Sequence, residues 1–351
     1  MTLAHDLAAQ ALHLLDPEKA HGLTLAGLRA GLGPRDRGPD DPALHVRMAG
    51  LHLPNCIGLA AGFDKHAEAP DALLDAGFGF VEVGTVTPRP QPGNPRPRVF
   101  RLERDRAVIN RYGFNSEGLD AVHTRLAARP RRGVVGANLG ANKDSADRAA
   151  DYVAGLRRLW GVADYFTVNI SSPNTPGLRG LQGEGELDDL LGRLAEARRA
   201  LADGASKPPV FLKVAPDLTE ADAHRITDAV QRAELDGIIV SNTTVDRPAT
   251  LRSHNRGEAG GLSGAPLLEA STRVLRWFHA AHDEKLVLVG AGGVASGADA
   301  YAKIRAGACV VQLYTALVYG GPGLVRRIKR DLAARLRADG FVSVVEARGA
   351  A

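Results

Sequence analysis

The sequence holds only two cysteines in 351 residues, Cys56 and Cys309, each inside an apolar run. Two such thiols read as small buried hydrophobes in a reducing cytoplasm, not as a disulfide or a metal pair, and no cysteine cluster exists for an iron–sulfur centre. No apolar stretch approaches the ~20 residues that span a bilayer, and no basic start followed by an apolar segment marks a signal peptide. Any contact with a membrane is therefore expected from its surface. The net charge is only +4, no long Lys/Arg block occurs, and aromatics make up 5%, which argues against nucleic acid as a partner. No GxGxxG fingerprint follows a predicted strand, so no NAD site is read.

What is present is a rhythm. Eight short apolar runs recur at 56–61, 79–84, 134–139, 165–170, 210–214, 237–240, 286–290 and 309–313. Unbroken runs of this kind are what strands of a parallel sheet look like when both faces are buried. Helices are expected over 145–160, 186–203, 219–232, 266–282 and 322–338, with glycines and prolines at the corners. Eightfold strand–helix repetition predicts an α/β fold, a closed (β/α)8 TIM barrel over 44–351, with a doubly wound sheet as the structural runner-up. Residues 44–53 predict a small hairpin across the barrel bottom. Residues 96–114 predict a small β insertion after the second strand, extended at 98–102 and 107–109.

Ahead of the barrel, Leu3, Leu7, Ala11, Leu14 and Leu15 fall on one helical face, and Asp16-Pro17 reads as a cap and first helical position. Ala20, Leu23, Gly27, Leu28 and Leu32 form a second face. Residues 1–33 are thus expected to form a helical hairpin, and the polar, proline-rich 34–43 a linker.

Chemistry in a TIM barrel collects at the C-terminal ends of its strands. The first run leads into Ala61, Gly62, Phe63, Asp64 and Lys65, and the second into Gly84 and Thr85. The insertion then carries Asn110, Arg111, Tyr112, Gly113, Phe114 and Asn115. Later strand ends supply Asn138, Asn169 through Ser172, Asn174 and Thr175, then Lys213, Ser241 through Thr244, Gly290 through Gly293, and Tyr314 with Thr315. Amides dominate, each with donors and an acceptor, which suits a planar heterocycle edged with carbonyls and N–H groups. Lys65 and Lys213 add positive charge for a carboxylate or for a ring that becomes anionic on reduction. The rim offers no His, Cys or paired carboxylates, so no metal is expected and neither thiol nor glycosidase chemistry is read. Gly293 and the glycines of 260–264 offer backbone N–H groups to a phosphate. A phosphate-binding lyase, or an aldolase using Lys213 in a Schiff base, is the competing reading of such a barrel.

Taken in order, segments 61–65, 84–85, 110–115, 169–175, 241–244 and 260–264 closely resemble those of the dihydroorotate dehydrogenases. The resemblance extends over essentially the whole chain, and NISSPNT at 169–175 is its highly specific stretch. Class 1 members use Cys as base and lack an N-terminal hairpin. Ser172, and a hairpin containing His21-Gly22-Leu23-Thr24, instead resemble the membrane-associated, quinone-using class 2.

That resemblance implies FMN as cofactor, held by Ala61, Gly62, Phe63, Asp64, Lys65, Thr85, Asn138, Asn169, Lys213, Ser241, Gly264, Gly293, Tyr314 and Thr315. It implies dihydroorotate or orotate held by Lys65, Asn110, Arg111, Tyr112, Gly113, Phe114, Asn169, Asn174, Asn242 and Thr243. Ser172 would be the catalytic base, Thr175 its relay and Phe114 its shielding wall. Ser241 and Thr315 stand where the family often has Thr and Ser, each keeping a hydroxyl. The resemblance further implies a membrane quinone as electron acceptor, reached by a tunnel lined by His21, Arg101 and Tyr314, and a place in pyrimidine (UMP) biosynthesis. Peripheral attachment at the cytoplasmic face of the cell membrane and no obligatory protein partner complete the expectation. Residues 1–31 carry two basic and three acidic side chains, so attachment would rest on apolar area rather than on a basic face.

Overall fold

The computed structural model describes residues 11–36, 38–202, 207–282 and 285–350. Its strands are β1 (Val46–Met48), β2 (Leu51–Leu53), β3 (Ile57–Leu59), β4 (Phe80–Val86), β5 (Val99–Leu102), β6 (Ala107–Asn110), β7 (Val134–Leu139), β8 (Tyr165–Asn169), β9 (Val210–Val214), β10 (Gly237–Val240), β11 (Gly261–Gly264), β12 (Val287–Ala291) and β13 (Val310–Leu313). Eight of them close a parallel barrel in the order β3-β4-β7-β8-β9-β10-β12-β13, with β13 returning to β3. The fold is a TIM barrel. Every residue of β4, β8, β9, β10 and β13 is buried, because one face packs inside the barrel and the other under the helices.

The outer helices follow their caps. Thr219 opens the helix Glu220–Arg232 with a capping box, its hydroxyl accepting from the Asp222 N–H while the Asp222 carboxylate accepts from the Thr219 N–H. The helices Leu268–Ala281 and Leu324–Ala338 bury one stripe each. The β1–β2 hairpin pairs Val46 with Leu53 and Met48 with Leu51, and Met48 and Leu53 join the barrel core.

The glycine-rich segment after the sixth barrel strand departs from expectation. Expected as a loop of exposed N–H groups, it is strand β11, pairing antiparallel with β6, which pairs in turn with β5. Phe100, Leu102, Ala107, Ile109, Leu251 and Leu262 form a separate small core beneath this sheet.

Of the N-terminal hairpin, the first face at Leu3 and Leu7 lies outside the described residues. The helix Pro17–Arg29 begins as expected, with the Asp16 carboxylate accepting from the N–H groups of Glu18 and Lys19 and proline at the first position. Its second face is only half as predicted. Ala20, Leu25 and Leu28 are buried, whereas Leu23 is 56% exposed and Leu32 beyond the helix 70%; in the preceding turn Leu14 is 89% exposed.

Ion pairs fasten the helix at both ends. Glu18 bonds Arg98 (2.7 Å) and Arg96 (3.0 Å) from the insertion, and Arg29 pairs with Glu68 (2.9 Å). Burial would raise the Glu18 carboxyl, but the hydrogen bonds from Arg98 and Arg96 outweigh it and hold it below the usual value. The expected linker is fastened too. The buried Lys329 ammonium meets Asp36 (2.8 Å) and Asp40 (2.5 Å), and Arg337 meets Asp41 (2.5 Å).

Candidate active site

A cavity of about 1200 Å³ runs from the helix Pro17–Arg29 to the C-terminal end of the barrel. It exceeds the ~300–1,000 Å³ typical of one small ligand. Ala61, Gly62, Phe63, Lys65, Thr85, Asn169, Lys213, Ser241, Gly264, Gly293, Tyr314 and Thr315 line it, as do Asn110, Tyr112, Gly113, Phe114, Ser172, Asn174, Asn242, Thr243, His21 and Arg101.

Four expected residues do not line it. Asp64 is wholly buried with its carboxylate accepting the N–H groups of Glu68 and Ala69 (2.8 Å each), and burial pushes its carboxyl up to about 6. It folds the loop that carries Lys65. Arg111 pairs with Glu258 (2.7 Å) and lies over the Phe100 ring, bracing the insertion. Asn138 and Thr175 are buried behind the wall.

The two serines that follow β8 differ in what their hydroxyls do. Ser171 Oγ donates to Asn169 Oδ1 (3.2 Å) and accepts from Asn242 Nδ2 (3.0 Å), so it is spent. Ser172 Oγ accepts the Asn174 N–H (3.3 Å), and among the described residues its own O–H meets no acceptor. Thr175 Oγ1, three residues on, is buried without any partner. Phe114 sits against Gly140 at φ +55, a left-handed conformation costly for a bulky residue. Gln91 holds it there, donating to the Phe114 carbonyl (2.8 Å) while its own carbonyl accepts from Asn142 (2.9 Å).

Charge is distributed sparingly. The Lys213 ammonium is buried with no ion-pair partner among the described residues, and burial lowers its pKa. Lys65 lies 4.4 Å from the Tyr112 ring centroid; burial first, and then Arg98, lower its pKa to about 8. His21 stands edge-on to Phe63 (5.0 Å) and beside Tyr314 (6.2 Å). Burial, with Lys65 nearby, brings its pKa to about 4, so the ring is neutral at pH 7. Arg101 caps the preceding turn, donating to the carbonyls of His13 (3.0 Å) and Leu15 (2.9 Å).

Two lining or supporting residues escape a reading of strand ends, because they lie inside strands. Glu82, in the middle of β4, is fully buried and accepts from four side chains. Gln312 donates its Nε2 to Glu82, which leaves a buried carbonyl oxygen without a partner in a residue that lines the cavity. A lone polar residue inside an otherwise apolar run, Glu82 in 79–84 and Gln312 in 309–313, is the signal that could have found both.

An orphaned acceptor, an unpaired buried ammonium and a rim of amides fit a planar heterocyclic cofactor with its own N–H groups, which defines a barrel oxidoreductase of the flavin kind. A sequence model of the family described as dihydroorotate dehydrogenase matches residues 43–336. The dihydroorotate dehydrogenase (quinone) of Parvibaculum lavamentivorans is 57% identical over 345 residues, 98% of this chain and 97% of the relative. That of Rhodospirillum rubrum is 55% identical, covering 96% and 91%. The crystal structure of DHODH in complex with ferulenol from Eimeria tenella superposes with a TM-score of 0.92 at 42% identity, covering 95% of each chain. The chain belongs to the dihydroorotate dehydrogenase family, a group of flavin-dependent oxidoreductases.

Proposed function

We propose that this protein oxidises dihydroorotate to orotate in pyrimidine synthesis, with FMN as its cofactor, Ser172 as its base and a membrane quinone as its acceptor. The observation that carries the reading is the Ser172 hydroxyl, lining the cavity with its O–H unspent beside the Asn110–Asn174 and Asn169–Asn242 pairs. FMN would be held by the cavity-lining Ala61, Gly62, Thr85, Asn169, Lys213, Ser241, Gly264, Gly293, Tyr314 and Thr315, with Asn138 behind them. When bound, it supplies the acceptor for the hydride lost from C6.

The chain's own residues do the rest. Lys65 holds the substrate carboxylate, and Asn110, Asn174, Asn242 and Thr243 hold the ring edge. Ser172 Oγ takes the C5 proton, acidified by the neighbouring carbonyl. A free serine is a weak base, so the step needs a proton exit and exclusion of bulk water. Thr175 Oγ1 supplies an unspent hydroxyl and Phe114 the wall.

Quinone would enter beside the helix Pro17–Arg29, past His21, Arg101 and Tyr314. The exposed Leu14, Leu15, Leu23 and Leu32 give that end an apolar surface, suited to peripheral contact with a membrane at its cytoplasmic face. Among the described residues no helix is long and apolar enough to cross one.

One anaerobic experiment tests the whole reading. Dihydroorotate added to the yellow holoenzyme should bleach it, and a soluble quinone should restore the colour. No bleaching would overturn dihydroorotate as substrate; bleaching without recovery would overturn quinone as acceptor.

A pH dependence follows from Lys65. The charged ammonium binds the carboxylate, and the free group titrates near pH 8. Orotate affinity should therefore be level up to about pH 7.5 and fall roughly tenfold per unit above the lysine's pKa. A spectral titration that stays flat to pH 9.5 would remove Lys65 from the carboxylate.

A further inference from the structure

The buried Glu82 carboxylate is surrounded by donors. Its Oε1 accepts from Asn138 Nδ2 (2.7 Å); its Oε2 accepts from Gln312 Nε2 (2.8 Å), Thr167 Oγ1 (3.0 Å) and Tyr165 OH (3.1 Å). An ionised carboxylate only accepts, so the NH2 group of Asn138 must face Glu82 and its carbonyl must face away. There Asn138 Oδ1 accepts from Thr85 Oγ1 (2.6 Å) and Asn169 Nδ2 (3.2 Å). The Asn169 carbonyl in turn accepts from Asn242 Nδ2 (3.1 Å), and the Asn242 carbonyl accepts the Thr243 backbone N–H (2.8 Å). The chain thus runs from a group that can only accept to a group that can only donate. Each of the three amides between them has one orientation that satisfies both ends.

We propose that Glu82 is a positioning residue whose charge fixes the donor–acceptor polarity of Asn138, Asn169 and Asn242, and so decides which atoms the rim offers to the substrate. Glu82 does not line the cavity. The inference rests on the reading that Asn169 and Asn242 meet orotate. Through Gln312 the same carboxylate holds the NH2 group and leaves the buried carbonyl oxygen unspent.

Glu82→Gln preserves shape and tests polarity. One turn of the new amide sets its NH2 against that of Gln312, which can answer only by turning over and directing its own NH2 at the cavity; the other keeps Gln312, Thr167 and Tyr165 on the new carbonyl and sets the new NH2 against that of Asn138. Asn138 must then turn over, setting its NH2 against that of Asn169, and the conflict moves along the chain until it meets the fixed Thr243 N–H. Glu82→Asp avoids the conflict, because the shorter carboxylate still only accepts.

The measurement is a spectral titration of each flavin-loaded protein with orotate. The glutamine variant should bind orotate at least about tenfold more weakly than wild type, and the aspartate variant should bind about threefold or more tightly than the glutamine variant. A packing role would make the aspartate variant, which loses a methylene from a packed site, no better than the isosteric glutamine, and that result overturns the proposal. So does a glutamine variant with wild-type affinity. If the glutamine variant does not fold, the aspartate variant decides alone: affinity within about threefold of wild type supports the proposal, and a folded protein with weaker affinity defeats it. Wild-type protein that fails to bind orotate would instead bring down the functional reading, and this inference with it.

Discussion

Ser172→Ala should keep its flavin and its affinity for orotate while losing about 10²–10⁴-fold in turnover, the usual worth of a positioned general base. Ser172 Oγ takes one weak hydrogen bond, from the Asn174 N–H at 3.3 Å, and that bond can be lost without disturbing Asn174, whose side chain bonds Asn110. Binding and chemistry should therefore separate cleanly. Ser172→Cys should retain part of the rate, since a thiol is a stronger acid and its thiolate a competent base. Stopped-flow flavin reduction by dihydroorotate is the direct readout, because it isolates the C–H chemistry from the acceptor half. An alanine variant with near-normal reduction would overturn Ser172 as base and turn attention to Thr175.

Removal of residues 1–33 should have an equally large effect on the other half of the cycle. Quinone-dependent turnover should disappear, while dihydroorotate should still bleach the flavin. The segment supplies His21 and the apolar wall on one side of the cavity, whereas Ser172, the amide rim and both lysines belong to the barrel. The deletion also leaves Arg98 without its Glu18 carboxylate. Loss of one partner of a buried pair costs a few kcal/mol, softened here because Arg98 then meets water and still donates to the carbonyls of Pro92 (2.7 Å) and Asn94 (2.9 Å). A lower melting temperature is thus expected. Both half-reactions are read on the same sample, so lost folding would abolish both and a lost acceptor site only one. A truncated protein that reduces quinone at the full rate would remove the hairpin from electron delivery.

The barrel was legible because double burial forces apolar side chains at consecutive positions. Strands β7, β9 and β10 coincide with their runs, and the other five differ by one or two residues at an end. Strand β11 was not legible. Four residues, two of them glycine, carry no strand signal, and only the presence of β6 alongside gives them their conformation. The face of the helix Pro17–Arg29 was misread at Leu23 for a related reason. Periodicity says which residues share a side of a helix, but not whether that side meets protein or solvent.

The site divides along the same line. Residues at strand ends were found, whereas Glu82 and Gln312 lay hidden in runs that read as apolar. Asp64 was placed on the cavity by its neighbours in sequence, although its carboxylate is consumed by the backbone of its own loop. The distinction between Ser171 and Ser172 is purely one of partners, and composition carries no trace of it.

The ion pairs at the two ends of the helix Pro17–Arg29 have a thermodynamic consequence. Glu18 grips the insertion, which ends in Tyr112 and Phe114; Arg29 grips Glu68, in the loop that carries Lys65. One rigid element thereby ties together two loops that both face the barrel end. A ligand at the helix and a ligand at the rim would rest on the same two loops, so any change one makes to the other's affinity would, by reciprocity, be equal in both directions.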